Sequence, residues 1–212
     1  MRSTVSTAVA YVDDIDGTSA FGGQLAVQDI TVSGTNPVLL VLVGANAPDG
    51  VSIMSIDLGL GLTGTPSEVV TEQASLGNGM VLIWVITAPA GSGDITINFS
   101  SNITATVNVL LLEHAHQTTP CPLGDVAIGN TPTSGTTISL LPTNLTANDA
   151  AVGIGASTND GGDPVFDQVQ TFNDMTFQNE AAAGYHLGTG PVSITWASFD
   201  DGAAAAVRVV GA

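Results

Sequence analysis

Val38-Leu39-Leu40-Val41-Leu42-Val43 decides the fold. Six consecutive apolar residues, all of them valine or leucine, have the length of one strand and no polar member. Successive side chains of a strand point to opposite faces. A strand with no polar residue therefore has both faces buried, as a central strand in a sandwich does. Two more runs of this kind follow, Met80 to Thr87 and Ala105 to Glu113.

Around these runs lie segments that alternate. Residues 5–12 place Val5, Thr7, Val9 and Tyr11 on one side; residues 24–33 alternate through Leu25, Val27, Ile30 and Val32. Ser52 to Leu58 reads as Ile53, Ser55 and Asp57 against Ser52, Met54, Ile56 and Leu58. Ile95-Thr96-Ile97-Asn98-Phe99-Ser100 is a clean period-2 strand. Further strands are expected at 67–74, 136–141, 150–156, 165–177, 181–187, 192–196 and 203–210, with slipped alternation in 165–177. Turn chemistry separates them: Gly34-Thr35-Asn36-Pro37, Asn46-Ala47-Pro48-Asp49-Gly50 and Pro89-Ala90-Gly91-Ser92-Gly93-Asp94. About fourteen strands and no helix are expected. No shift in composition marks a boundary and no tandem repeat stands out. The expectation is all-β: a single antiparallel two-sheet β-sandwich over 21–212, preceded by an extended arm over 1–20.

Composition agrees. The 212 residues include 44% hydrophobic side chains but only two cations, Arg2 and Arg208, against nineteen acids, for a formal charge of -17. Fifteen of the acids are Asp, a turn and cap residue; only Glu68, Glu72, Glu113 and Glu180 are Glu. Helix-forming residues are scarce. A phosphate-neutralising footprint cannot be built from two cations at opposite ends, so nucleic-acid binding is excluded, as are a lysine Schiff base and a Walker-type lysine. The longest apolar runs are strand-sized, so no membrane span is expected. Met1-Arg2-Ser3-Thr4-Val5 opens no apolar run of signal-peptide length, and synthesis without an export signal is expected.

From residue 30 onward the chain resembles a family of β-sandwich modules of phage and bacterial surface proteins. The residues that carry the resemblance are Thr31-Val32-Ser33-Gly34-Thr35-Asn36-Pro37-Val38-Leu39-Leu40-Val41, then Trp84-Val85-Ile86-Thr87-Ala88-Pro89-Ala90-Gly91, then Asp94 to Ser100, and the loop Glu113-His114-Ala115-His116-Gln117-Thr118-Thr119-Pro120. Gly190-Pro191-Val192-Ser193-Ile194-Thr195-Trp196 and Ala203 to Val210 follow in the same order. The chain departs at Leu58-Gly59-Leu60-Gly61-Leu62-Thr63, which lacks the family's hairpin tyrosine, and residues 1–29 lie outside the match. The resemblance implies a jelly-roll-like sandwich with a display, adhesion or particle-surface role and supplies no catalytic constellation.

The chemistry-bearing residues are few. His114 and His116, at i and i+2, would face one way on an extended segment with Glu113 opposite, and two imidazoles on one face could hold a transition metal. No third ligand is evident; His186 is a candidate only if the fold brings it near, and loop structure outweighs a metal. Asp13, Asp14 and Asp16 before Gly17 start like a calcium loop but the spacing then fails. Asn159 to Asp163 and Asp200-Asp201-Gly202 read as acidic turns. Cys121 is a lone cysteine, expected to be buried and inert. Trp84 and Trp196 occupy core-like positions, and no Gly-x-Ser-x-Gly elbow is present. Asn98, Asn102 and Asn144 fall in glycosylation triplets, which matter only in a eukaryotic secretory route.

The expected role is therefore non-enzymatic and needs no cofactor. The chain reads as a virion structural protein, a capsid decoration (cement) or head-surface fibre component on the outer capsid surface. Its partners would be the major capsid protein or neighbouring copies, in a homo-oligomer, with a trimer as the guess. Arg2, Val5, Val9 and Tyr11 on the arm would make the partner contacts by adding a strand to an exposed edge. The alternative is an extracellular adhesion, filament or carbohydrate-binding module, for which an exposed Trp would be the discriminator.

Overall fold

A computed structural model describes residues 7–15, 19–47, 50–74, 79–130, 137–157, 165–166, 169–176, 179–196 and 202–212. The described residues hold fourteen strands and no helix. In the first half these are β1 (Ala10–Ile15), β2 (Ser19–Thr31), β3 (Val38–Asn46), β4 (Ile53–Leu58), β5 (Leu62–Gln73) and β6 (Gly79–Glu113). In the second they are β7 (Val126–Asn130), β8 (Thr137–Leu140), β9 (Ala150–Ser157), β10 (Val165–Phe166), β11 (Val169–Thr176), β12 (Asn179–Leu187), β13 (Val192–Thr195) and β14 (Gly202–Val209).

β6 is not one straight strand. Ala88 at φ 47 and Gly91 at φ 87 bend it, and its pairing divides it into three legs, 79–87, 92–99 and 103–113. At Gly91 a Cβ would lie 1.9 Å from the Gly61 carbonyl oxygen, so no side chain fits that bend. β3 lies between two legs: Val38 pairs with both Thr87 and Leu112, Asn46 with both Gly79 and Thr104. Partner numbers fall as β3 numbers rise on both sides, so both pairings are antiparallel. β5 flanks the first leg and β1 the last, giving the order β5–first leg–β3–last leg–β1. The middle leg pairs instead with β4 and with residues 24–31 of β2, forming a three-stranded layer, while residues 19–22 of β2 run beside the last leg.

The apolar clusters reveal the stacking. Leu39, Val41 and Val43 pack with Leu25, Val27, Ile95 and Ile97, on the side of the three-stranded layer. Val38, Leu40 and Leu42 face the other way, into a cluster with Ala150, Val152 and Ile154 of β9 and Ala203, Ala205 and Val207 of β14. Those strands belong to the five-stranded sheet β11–β12–β9–β14–β7. Its opposite face, through Ala182, Ala204 and Ala206, packs on Ile138, Leu140, Val192 and Ile194 of the sheet β10–β13–β8. The all-β antiparallel expectation holds, but the layers number four, not two: three strands, five, five and three. A two-sheet sandwich has one core and cannot bury both faces of β3.

The two central sheets meet through small residues. A Cβ on Gly44 would lie 2.6 Å from the Ala181 Cβ, so β3 and β12 approach closer than a side chain on β3 allows. This accounts for the alanine-rich β9, β12 and β14, which are buried on both faces within thin gaps.

Strand order is duplicated. Counting the legs of β6 as strands six, seven and eight, the first half pairs 1-8-3-6-5 in one sheet and 2-7-4 in the other. Counting β7 to β14 as one to eight gives 1-8-3-6-5 and 2-7-4 again. The seventh strands keep a trace of it: Gly93-Asp94-Ile95-Thr96-Ile97-Asn98-Phe99 beside Gly190-Pro191-Val192-Ser193-Ile194-Thr195-Trp196, with the third, fifth and seventh residue of each buried. The single sandwich over 21–212 is thus two eight-stranded units packed through their five-stranded sheets. Their repeat is hidden in part because the central core residues of the second unit are mostly alanine, where those of the first are leucine, isoleucine and valine.

The arm is also corrected. β1 is the first strand of the first unit, in the place that β7 holds in the second, and it pairs with the last leg of β6. Val9 is 3% exposed within the central cluster, and Thr7 N–H donates to the Ala212 carbonyl at 2.7 Å. In β4, Ile53 and Ile56 are both buried and Met54 is exposed, because a register shift between Ile53 and Ser55 breaks the expected alternation.

Candidate functional site

Among the described residues Arg208 is the sole lysine or arginine, and it is spent inside the fold. Its Nη1 lies 2.7 Å from Asp125 Oδ2 and its Nε 2.9 Å from Asp149 Oδ2. Each carboxylate has further donors. Asn144 Nδ2 donates to Asp125 Oδ1 at 2.5 Å and Thr143 Oγ1 at 3.1 Å; Thr146 N–H donates to Asp149 Oδ2 at 2.7 Å and Gly211 N–H to Asp149 Oδ1 at 3.0 Å. The Arg208 hydrogen bond, with Asn144 second, holds the Asp125 carboxyl below its ordinary value. Burial pushes Asp149 up, but the Gly211 and Thr146 hydrogen bonds and Arg208 outweigh it and the net shift is down. Carboxylates held ionised and fully engaged are poor general acids or bases. This cluster ties β14 to the loops before β7 and β9.

The histidine pair does not form the expected face. His114 adopts φ 59, so the segment is kinked there rather than extended. The kink brings Glu113 Oε1 to 3.7 Å from His114 Nε2, where an extended chain would have set them opposite. His116 Nδ1 accepts the Thr119 N–H at 3.2 Å, and His186 lies against Gly190. Among the described residues no three His, Cys, Asp or Glu side chains converge.

Asp13 and Asp14 sit on β1, where Asp13 caps the Asp14 N–H and Asp14 accepts from the Tyr11 hydroxyl. Burial first, then that bond and the neighbouring charges, raises the Tyr11 phenol. The Tyr11 ring stacks on Tyr185 at 5.1 Å between centroids and 11° between planes. So of the four expected partner contacts, Val9 and Tyr11 are used within the chain, while Arg2 and Val5 lie outside the described residues. Asp16, Asn159 to Asp163, Asp200 and Asp201 lie outside them too. Cys121 is buried, its thiol pushed up to about 12 by desolvation, beside a cavity of about 240 Å³ lined in part by Glu68, Val69, Pro120 and Leu123. Trp196 is 1% exposed and Trp84 is half-buried against the first unit's inner core, so neither is a flat exposed platform.

The feature that sequence reading missed is the outer face of the three-stranded layer β2–middle leg–β4. Gln24 Nε2 donates to Asn98 Oδ1 at 2.8 Å, and Asn98 Nδ2 donates to Ser55 Oγ at 2.9 Å and Asp57 Oδ2 at 2.8 Å. The four side chains form one polar row across three strands. Met54, 71% exposed, precedes Ser55 on β4, whereas Phe21, 72% exposed, lies on the part of β2 that pairs with Thr104 of the last leg. Alternation alone shows Gln24 and Asn98 pointing outward; that they share a row depends on register, which two bulges set. Comparison with family models, with curated proteins and with solved structures finds no match.

Proposed function

We propose that the chain is a structural protein of a virion exterior, a capsid decoration or head-surface component whose work is contact rather than chemistry. The observation that carries this reading is the doubled strand order. Sheets ordered 1-8-3-6 and 2-7-4 follow the jelly-roll sequence, with the fifth strand beside the sixth instead of the fourth, and jelly rolls are the architecture of many viral shell proteins and lectins. Two such units are fused through a largely apolar interface. The charge of -17 supports the same reading, since it keeps crowded copies soluble. The partners proposed are the major capsid protein or neighbouring copies, in a homo-oligomer for which a trimer is the first candidate.

The test is add-back to particles purified without the protein. Saturable co-sedimentation and a higher shell melting temperature are expected. Failure to bind shells that lack it, under conditions where the protein is folded, would sink the proposal. The second reading, an extracellular carbohydrate-binding module, is favoured by one observation, the polar row of Gln24, Asn98, Ser55 and Asp57.

A further inference from the structure

We infer that the free edge of β7 is a contact for a second copy of this chain, joined across a two-fold axis by main-chain pairing of β7 with β7. This stands apart from the virion proposal, since it needs no particle. Among the described residues β7 pairs only with β14 and ends its sheet. Arg208 N–H donates to the Asp125 carbonyl at 3.3 Å, which sets the phase of that ladder. In an antiparallel pair, opposed residues alternate between bonded and non-bonded. Arg208 and Asp125 are bonded, so Ala127 and Gly129 are the next residues to bond β14. Val126, Ile128 and Asn130 therefore turn their main-chain N–H and C=O groups to the open side. Such an edge is a template for another strand.

Other edges of the fold are guarded and this one is not. β1, its counterpart in the first unit, carries Asp13 and Asp14 and a register shift between Tyr11 and Asp13. β5 carries Pro66, Glu68 and Glu72 with two shifts, β11 Asp174 with one, β4 Asp57 with one and β2 Asp29 with two. β8 and β10 are uncharged but only four and two residues long, and the Thr137 and Ser139 hydroxyls of β8 already bond Thr195 and Ser193. β7, Val126-Ala127-Ile128-Gly129-Asn130, has no charge, no proline and an unbroken register. Ile128 is 54% exposed on it. Leu123 and Leu141, also exposed, lie on segments that meet just before β7, where Thr143 Oγ1 donates to the Gly124 carbonyl at 3.2 Å. Charge chooses the occupant. Two molecules of formal charge -17 repel, and pairing meets least opposition where neither presents a carboxylate, as on this strip. The strip is also self-complementary. Antiparallel pairing centred on Ile128 sets each Ile128 against its copy and Val126 against Asn130, so the three outward residues of one strand meet the three of the other as bonded pairs. The two Ile128 side chains then share one face and cover each other.

The experiment is sedimentation of the full chain over a concentration series, beside Ile128→Asp and Ile128→Pro. Ile128→Asp sets two carboxylates opposite each other, and Ile128→Pro removes an outward donor that β14 does not use. The wild type should sediment at twice the chain mass and dissociate on dilution. Both variants, folded by circular dichroism, should dimerise at least about tenfold more weakly. Hydrogen exchange of the unaltered chain supplies a readout that no folding defect can imitate: the Val126 and Ile128 amides should be protected in the dimer and exchange faster once it is diluted to monomer. A monomer at every concentration overturns the inference, as does a trimer, which a two-fold contact cannot build. So does a dimer whose Val126 and Ile128 amides stay unprotected, or one that both folded variants leave intact.

Discussion

Arg208 is the residue that joins the two buried carboxylates Asp125 and Asp149. It lies between two carboxylates that also draw on Gly211, Thr146, Thr143 and Asn144, so removing it strands two buried charges. Arg208→Met should therefore cost about 3–5 kcal/mol in urea unfolding at neutral pH. The pH dependence has a definite sign. Asp125 and Asp149 are depressed below the ordinary 3.8 in the native protein, so their contribution is complete above that value and is lost as pH falls through the native one. In the variant each carboxylate loses its cation but keeps its other donors, so both are depressed less than in the wild type. The gap between wild type and Arg208→Met should be widest at neutral pH and close on acidification below about pH 4. A gap that stays constant with pH would show that the cluster does not act through charge.

At the scale of elements, the strands were largely legible in advance and their partners were not. Val38 to Val43 announced a strand buried on both faces because six apolar residues leave no side for water. What lay on each side was not readable, since period-2 patterns carry no information on pairing. The 1–20 segment shows the consequence. Its alternation was visible, but its place at the edge of the last leg of β6 depends on Val9 reaching the central core and Tyr11 reaching Tyr185. The polar row escaped notice for the same reason, as its members come from three distant segments. Deleting residues 1–15 should accordingly destabilise the whole protein, with Val9 alone worth about 1.5–3 kcal/mol of burial. Thermal melts followed by circular dichroism will read this; an unchanged melting temperature would restore the view of residues 1–20 as a separable arm.

The whole molecule sets a strong apolar interior against a sequence whose charge is almost purely negative. Duplication explains how 212 residues bury so much: fusing the five-stranded sheets of two units turns two solvent-facing sheets into one shared core. The sequence hints at this only in the paired seventh strands, because the central core residues of β9, β12 and β14 are mostly alanine while those of β3 and its two flanking legs are leucine, isoleucine and valine. Surface charge has no matching compensation, with nineteen acids, two cations, and Arg208 occupied internally. Self-repulsion must then oppose folding, and it acts over the Debye length, about 10 Å at 0.1 M salt and about 3 Å at 1 M. Screening relieves the exposed carboxylates far more than the buried Arg208 cluster. Raising sodium chloride from about 0.1 M to about 1 M should therefore stabilise the protein by about 1 kcal/mol, or about 2–4 °C in melting temperature for a chain of this size. Choline chloride should do the same, because the effect needs ionic strength and no specific cation. A melting temperature that falls with salt would mean that attractive surface ion pairs dominate, and stabilisation by sodium alone would mean that carboxylates bind the ion directly.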